Sequence, residues 1–367
     1  MLYYQHMNIF VEVIVSVLTA YLAFTNTLAE HIGTFLDSVT TQPEESEKIE
    51  GGSMVQLPSI FGTTIPDILL RSSEYQAAAL GAAANLEEPT VSDPLSALVN
   101  IYCTFETKEY IRTTTGTGFF IDQDGVIMTN AHIAQFLLLE KTDSFGDANC
   151  IVRVGSPATA RYTADLLYIP PTWIQENASL IDDAAPMGTG ERDYALLYVS
   201  GDVEGWPLPA RFPALSFDDD LLPTSVKNSE VTAAGYPATD LLAGGPKTDL
   251  VAKLAPTSIS ELYTFGSNYA DVFSVKGSNV GAQGSSGGPI VSKDGDVIGM
   301  IATRGDDDVD GAGSLRAITL SHVNRTIKEE TGFTLAENLS GNLPYRAEIF
   351  ANTMAPFLVS ILEENKN

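Results

Sequence analysis

The chain has 367 residues, of which 44% are hydrophobic and 18% are charged, a composition that allows one large globular domain or two modest ones. The formal net charge is −27, which argues against a nucleic-acid partner because phosphate groups would be repelled. Only two cysteines are present, too few to form a zinc site by themselves, and we expect neither a metal nor a cofactor.

The N-terminal segment, residues 1–29, contains an apolar run from Ile9 to Phe24. The run is slightly short for a membrane span, and Glu12 would be costly inside a bilayer. It suits a signal-peptide core, with Thr27 to Ala29 before a cleavage site, although no Lys or Arg precedes Lys48. We therefore expect an exported chain, either secreted or tethered to a membrane through residues 9–24. A soluble N-terminal helix is the alternative.

Residues 30–95 show no sustained strand pattern. Thr40 to Gly52 is polar and acidic, which is typical of a flexible linker. Ile65 to Leu86 is rich in alanine and favours one or two short helices. This part of the chain is therefore predicted to be a linker with a short helical extension.

From Leu95 onward the chain consists of short apolar runs separated by glycine, proline and aspartate. Many short strands with turn signals between them indicate an all-β sandwich or barrel. The predicted strands are Leu98 to Phe105, Gly118 to Ile121, Val126 to Thr129, Cys150 to Val154, Ala164 to Ile169, Ala195 to Val199, Val231 to Ala234, Val272 to Val275 and Val297 to Ala302.

Two polar residues stand at the ends of these predicted strands. Gly116 to His132 predicts a β-hairpin, and His132, one of four histidines in the chain, lies at its end. Asp193 directly precedes another apolar strand, whereas Asp182 and Asp183 have no such strand after them and are weaker candidates. Residues 170–190 are predicted to be an inserted surface loop.

The run Gly281 to Pro289 contains four glycines and two serines. Clustered glycines permit backbone conformations with positive φ and a close approach of another molecule. A serine hydroxyl becomes a good nucleophile only when a base takes its proton, and N–H groups of a tight turn can stabilise an oxyanion. The run therefore predicts a nucleophile that needs a histidine and an aspartate elsewhere in the chain.

The segments Thr129-Asn130-Ala131-His132, Asp193-Tyr194-Ala195-Leu196 and Gly284-Ser285-Ser286-Gly287-Gly288-Pro289 follow one another in the order His, Asp, Ser. Together they resemble the signature segments of trypsin-like serine peptidases, which have this order. The hairpin is most similar to the bacterial high-temperature-requirement branch, and the resemblance covers residues 97–330. It implies two six-stranded antiparallel β-barrels with the site in the cleft between them.

By this resemblance, Ser286 is the nucleophile and His132 is the general base and then the general acid. Asp193 fixes the tautomer of the imidazole and stabilises its charged form. The backbone N–H groups of Gly284 and Ser286 form the oxyanion hole. Ser285 replaces the aspartate that precedes the nucleophile in digestive enzymes, so we expect no activation through a newly cleaved N-terminus.

The resemblance also locates the pocket for the P1 side chain of a substrate, beside Val280, Ala302, Thr303 and Arg304. No acid stands at Val280, which argues against a preference for lysine or arginine. No histidine stands at Ile301, which argues against a preference for glutamate. We expect polypeptide substrates with a small or medium apolar P1 side chain.

Cys103 and Cys150 lie in predicted strands of the first barrel, on either side of the His132 hairpin. We hypothesise a disulfide between them, consistent with an exported chain, and two buried free thiols are the alternative. The run Asp306 to Gly311 resembles a calcium loop, but its twelfth position is Ala317 rather than glutamate, so a solvated acidic loop is favoured.

The C-terminal part of the chain is predicted to be helical. Leu320 to Glu330 predicts an amphipathic helix that Gly332 ends, and Ile349 to Glu364 has a second helical pattern. The tail is too short for the peptide-binding domain that often follows in the resembled branch. The predicted domains are residues 1–29 as a signal peptide or anchor, 30–95 as a linker and helical extension, 96–334 as the peptidase domain, and 335–367 as a helical tail.

The resemblance implies a serine endopeptidase that acts through an acyl-enzyme intermediate. The main alternative is a non-catalytic or latent module that binds peptides in the same cleft. An esterase-like acyl hydrolase is a weaker alternative, because the barrel pattern and the motif order do not fit the α/β-hydrolase form.

Overall fold

The computed structural model describes residues 55–56, 91–106, 111–182, 190–203, 205–239, 249–305 and 311–365. The chain divides into two units, residues 1–50 and 51–367, and every described residue belongs to the second. The predictions for residues 1–29, for most of 30–95 and for Asp306 to Asp310 therefore lie outside the described residues. Within the described ranges, no helix has the length and apolar character needed to span a membrane.

Short strands dominate the described residues, and most helices follow the last strand. The strands are β1 (Val55–Gln56), β2 (Leu98–Glu106), β3 (Ile111–Asp122), β4 (Val126–Thr129), β5 (Asp147–Val154), β6 (Thr159–Tyr168), β7 (Ala195–Asp202), β8 (Glu230–Gly235), β9 (Lys253–Thr264), β10 (Val272–Val275), β11 (Pro289–Val291), β12 (Val297–Arg304) and β13 (Leu315–Thr319). The α-helices are α1 (Pro94–Ala97), α2 (Ala131–Ala134), α3 (Pro171–Asn177), α4 (Leu320–Thr331), α5 (Leu335–Asn338), α6 (Leu343–Thr353) and α7 (Ala355–Glu364).

The first barrel is closed by six antiparallel strands in the order β2-β3-β4-β7-β6-β5. Its core contains the fully buried residues Phe119, Ile127 and Leu197. Cys103 on β2 and Cys150 on β5 face each other in register and are joined by a disulfide bond. Because the sheet closes on itself, these strands leave no long unpaired edge.

The second barrel is closed by β8-β9-β10-β13-β12-β11, with β8 pairing to both β9 and β11. Its core includes Val231, Phe273, Ile290 and Leu315, and β1 adds to β9 as a parallel strand. The two six-stranded antiparallel barrels confirm the all-β, trypsin-like fold predicted from the sequence.

Strand β9 was not among the predicted strands. It contains Pro256 and two serines, and only some of its side chains are deeply buried, such as Ile259 and Leu262. Its twelve residues are held by antiparallel pairing with β8 on one side and β10 on the other. Barrel closure therefore stabilises a strand whose own composition is too polar to indicate one.

The expectation of a surface loop over residues 170–190 is wrong for its first half. Residues Pro171–Asn177 form helix α3, and a 3₁₀ segment, Ala178–Asp182, follows it. Trp173 and Ile174 are completely buried. Pro171, which suggested a loop, is compatible with the first helical turn because the N–H it lacks has no partner there.

The C-terminal helices pack against the barrels. The side chain of Thr319 accepts a hydrogen bond from the N–H of His322 at the start of α4, and α4 ends at Gly332 with φ of 82°. The single helix predicted from Ile349 to Glu364 is instead two helices, α6 and α7, which meet at Met354. The proline in the first turn of α7 explains the break, because it cannot donate to the preceding helix.

Candidate active site

His132 and Asp193 form a buried pair in the first barrel, His132 after β4 and Asp193 before β7. The Nδ1 atom of His132 lies 2.8 Å from Oδ2 of Asp193. The backbone N–H of His132 donates to Oδ1 of the same carboxylate at 2.9 Å. Because the carboxylate accepts, Nδ1 carries the proton, and Nε2 is left as the nitrogen that can take up a proton.

The segment around Asp193 is fixed on both sides. The Nδ2 atom of Asn130 donates to the carbonyl of Asp193 at 2.8 Å. Arg192 has a left-handed backbone with φ of 56°, and the N–H of Tyr194 donates to its carbonyl at 2.9 Å. Burial raises the pKa of Tyr194, whose hydroxyl lies 2.8 Å from Oγ1 of Thr326 in α4.

The predicted nucleophile lies in a tight turn of the second barrel, before β11. Gly284 and Gly287 have φ of 94° and 87°, which side-chain-bearing residues rarely adopt. A Cβ atom on Gly287 would lie 1.9 Å from the carbonyl oxygen of Thr117. Ser285 is buried and donates through Oγ to the carbonyl of Val280 at 2.5 Å, while Ser286 is half-buried.

The direction of the N–H group of Gly284, a predicted oxyanion-hole donor, follows from the peptide bond that precedes it. The carbonyl of Gln283 accepts a hydrogen bond from the N–H of Ala238 at 2.7 Å. Because the C=O and N–H of a trans peptide point in opposite directions, the N–H of Gly284 points away from Ala238. Among the described residues, neither this N–H nor that of Ser286 has a hydrogen-bond acceptor.

Thr117 on β3 joins the two barrels at the site. Its Oγ1 donates to the carbonyl of Gly284 at 2.6 Å and accepts from the N–H of Tyr236 at 3.0 Å. Its N–H donates to the carbonyl of Ser286 at 2.8 Å, and its own carbonyl accepts from Thr129 Oγ1 at 2.7 Å. The sequence analysis did not single out Thr117, and a polar residue between two glycines of an apolar strand was its only signal.

These contacts bring the turn of Ser286 to Thr129, three residues before His132. Within the part of the chain that the structure describes, no hydrogen bond joins Ser286 Oγ to the imidazole of His132. In sites without substrate such bonds are often long, and they shorten when substrate binds.

The residues predicted for the P1 pocket differ in exposure. Ile301 on β12 exchanges two backbone hydrogen bonds of 2.8 Å with Gly287 and Gly288, the two glycines that follow Ser286. The end of β12 therefore lies beside the turn. Along it, Ala302 is buried, Thr303 is half-buried and Arg304 is exposed, while Val280 is buried in the core of the second barrel.

A family model and several solved structures match the chain. The family model described as "Trypsin-like peptidase domain" matches residues 116–300, just over half of the chain. No curated protein matches the chain. Similar solved structures include the active form of the Rv3671c protease from M. tuberculosis, with 20% identity, a TM-score of 0.38, and coverage of 77% of this chain and 94% of that one. They also include the inactive form of a serine-to-alanine mutant of Rv3671c from M. tuberculosis H37Rv, with 20% identity, a TM-score of 0.38, and coverage of 75% and 97%.

Proposed function

Because this chain belongs to the trypsin-like peptidase family, we propose that it is a serine endopeptidase that uses Ser286, His132 and Asp193. The observation that carries the proposal is the buried carboxylate–imidazole pair, with Nδ1 and Oδ2 separated by 2.8 Å. It lies in the same site as a glycine-serine turn with two N–H groups available to an oxyanion.

In the proposed reaction, Oγ of Ser286 attacks the carbonyl carbon of the scissile peptide bond while Nε2 of His132 takes its proton. The N–H groups of Gly284 and Ser286 stabilise the oxyanion that forms. His132 then protonates the leaving amine, which yields an acyl-enzyme, and water activated by His132 releases the acid product. Throughout, Asp193 keeps Nδ1 protonated and stabilises the imidazolium.

The proposed substrates are polypeptides with a small or medium apolar P1 side chain. Ala302 and Thr303 supply short side chains beside the nucleophile, and Arg304 is exposed at the end of the same strand. Profiling cleavage of a peptide library tests this preference, and dominant cleavage after lysine or arginine would contradict it. We also propose that the chain acts outside the cytoplasm, which the disulfide supports because such bonds persist in oxidising compartments.

We further propose that the enzyme needs no newly cleaved N-terminus for activity. Ser285 stands where an ion-pairing aspartate would be needed, and its hydroxyl bonds to the carbonyl of Val280 within the same loop. The full-length chain, with its N-terminus intact, is therefore expected to be reactive. An adduct with an active-site reagent that forms only after cleavage near residue 100 would contradict this.

Intact-mass analysis after treatment with a fluorophosphonate tests the proposed chemistry. The expected result is a single adduct on the wild type and none on Ser286→Ala. Ser285→Ala is the matched control, because it removes the neighbouring hydroxyl and leaves the proposed nucleophile in place. An adduct that persists in Ser286→Ala would contradict the assignment of the nucleophile.

A latent or purely peptide-binding protein is the second candidate. In this candidate, the same cleft binds a peptide without proton transfer between Ser286 and His132. The same experiment separates the two functions. No adduct on folded wild type, together with measurable peptide affinity, would support the binding function and contradict the catalytic one.

A further inference from the structure

The two residues that flank Asp193 both contact one helix, α4. The guanidinium of Arg192 donates to Glu330 Oε1 and to Glu329 Oε2, each at 2.9 Å. On the other side of Asp193, the hydroxyl of Tyr194 lies 2.8 Å from Oγ1 of Thr326. Helix α4 follows the last strand of the second barrel. A helix of the second barrel therefore contacts both sequence neighbours of Asp193, which belongs to the first barrel.

Glu330 anchors Arg192 from a mostly buried position, with 13% of its side chain exposed. Its carboxylate accepts hydrogen bonds from the hydroxyls of Tyr168 at 2.7 Å and Thr172 at 2.6 Å, as well as from Arg192. Burial raises the pKa of Glu330, and Arg192 acts against that shift. A buried carboxylate is stabilised by its hydrogen-bond donors. The side chain of Glu330 is therefore restricted to the orientation in which it accepts from all three donors.

The backbone at Arg192 explains why such an anchor is needed. Its φ of 56° lies in the left-handed region, which is unfavourable for a residue with a side chain. The hydrogen bond from Tyr194 N–H to the carbonyl of Arg192, at 2.9 Å, closes a three-residue turn with Asp193 at its centre. The direction of the Asp193 carboxylate therefore depends on a turn that the ion pairs of Arg192 hold.

We propose that Arg192 is a positioning residue for Asp193 and that Glu330 is its anchor on α4. This inference rests on the proposed peptidase function. The guanidinium touches no reacting atom. It fixes the turn that directs the carboxylate to His132, and small displacements of such a group reduce the rate of reaction strongly.

The test uses variants of the full chain that separate the guanidinium from the backbone. Arg192→Gly permits the left-handed conformation but lacks the side chain, and Arg192→Lys keeps the charge without the planar fork. Two readouts are used: kcat and KM on a peptide substrate, and the far-downfield proton resonance of His132 Nδ1–H. The control is Lys227→Ala, which removes a 2.8 Å ion pair with Glu261 in the second barrel.

We expect Arg192→Gly to lower kcat by about 10- to 100-fold with KM changed by less than about twofold. We expect its His132 resonance to broaden or shift, Arg192→Lys to recover part of both readouts, and Lys227→Ala to match the wild type. Unchanged kcat and an unchanged resonance in Arg192→Gly would overturn the inference.

If Arg192→Gly does not fold, the same two readouts, kcat and the His132 resonance, are measured on the near-isosteric variant Glu330→Gln. Wild-type kcat and resonance in that variant would overturn the anchoring role. The two proposals fail differently. A wild type that gives no fluorophosphonate adduct contradicts the peptidase function, whereas the resonance tests the positioning without any turnover.

Discussion

At Asp193, one carboxylate accepts hydrogen bonds from two N–H groups of a single residue. The backbone and the ring of His132 donate to its two oxygens at 2.9 and 2.8 Å. An asparagine in this position has only one oxygen acceptor, and its amide group would face one of the two donors. An asparagine therefore cannot accept both of these hydrogen bonds.

We expect Asp193→Asn to lower kcat by about 10⁴-fold, the loss found for the same change in the well-studied member of this triad class. The cause is the wrong imidazole tautomer, because the asparagine amide would donate to Nδ1. Steady-state kinetics measure the loss, and circular dichroism checks the fold. Asp165→Asn is the control, because Asp165 forms a half-exposed contact of 3.5 Å with Lys141. Near-wild-type activity in Asp193→Asn would contradict its assigned role.

A second buried His–Asp pair is formed by His322 and Asp271. Nδ1 of His322 lies 3.1 Å from Oδ1 of Asp271, and Arg325 donates to the same oxygen at 2.5 Å. The ring of Phe265 packs against His322, and the charge of Arg192 also disfavours a second cation there. Burial lowers the pKa of His322. The contact with Asp271 acts to raise this pKa, but it does not cancel the effect of burial, because Arg325 already neutralises the charge of Asp271.

This buried histidine predicts a loss of stability in mild acid. The folded state holds His322 neutral, whereas the unfolded chain takes up a proton below a pH of about 6.5. The free energy of unfolding therefore falls as the pH drops below about 6.5 towards the lowered pKa. Denaturant unfolding at two pH values on either side of 6.5 should show a smaller pH dependence for His322→Gln, which cannot titrate, than for wild type.

Asp271 does not interfere with that measurement. Its burial opposes ionisation, but hydrogen bonds from His322 and Ser267 outweigh it and lower its pKa to about 2. Its contribution to stability is present above the ordinary aspartate pKa of about 3.9 and is lost as the pH falls through about 2. An equal pH dependence in wild type and His322→Gln would contradict the prediction.

At the scale of elements, the disulfide connects two neighbouring strands of the first barrel. Cys103 and Cys150 are 47 residues apart in sequence, and the intervening chain contains β3, β4 and α2. In the chain-entropy model, closing a loop of this length stabilises the fold by roughly 4 kcal/mol. The bond therefore stabilises the barrel that carries His132.

We expect the double variant Cys103→Ala/Cys150→Ala to lose up to about 4 kcal/mol in the free energy of unfolding. Calorimetry with and without reductant measures the effect, since reductant should lower the melting temperature of wild type and leave the double variant unchanged. Two free thiols in the denatured, non-reduced wild type would contradict the bond itself.

Elements with a clear local signal could be predicted from the sequence, and elements held by their neighbours could not. Val126 to Thr129 and Val272 to Val275 have the predicted bounds because their apolar side chains mark them. Strand β9 has no comparable signal, and β13 is a five-residue strand directly before α4. Both strands form because, in the closed barrel, neighbouring strands supply the hydrogen-bond partners of their backbone groups. These partners are distant in sequence, so a short stretch of sequence cannot indicate them.

At the scale of the whole molecule, the contacts that assemble the site connect distant parts of the chain. Thr117 and Gly284 are 167 residues apart in sequence, and Arg192 and Glu330 are 138 apart. The three motif segments and their roles could be proposed from the sequence because the family's motifs are local. The residues that hold those segments together have no local motif, so only the fold identifies them.

The C-terminal helices also belong to the folded unit. Helices α5 to α7 bury Leu343, Phe350, Leu358 and Leu362. Full burial of each such side chain is worth about 1.5–3 kcal/mol, so their sum is comparable to the total stability of about 5–15 kcal/mol for a typical domain.

A chain truncated after residue 334 is therefore expected to melt at a much lower temperature or to aggregate. Differential scanning fluorimetry and size-exclusion chromatography measure this. Glu363→Gln is the control, because it is a conservative change at an exposed residue of α7 that accepts hydrogen bonds from Thr142 and Ser144. A truncated chain with the wild-type melting temperature would show that the tail is dispensable.

The position of α4, after the second barrel, has a consequence for the order of events during protein synthesis. When a ribosome has translated as far as Ser286, all three proposed catalytic residues exist, yet β11, β12, β13 and α4 have not been made. The second barrel cannot close before Thr319 is made, and the turn at Asp193 lacks its proposed anchor until Glu330 is made. The proposed site is thus assembled only after α4 has been translated.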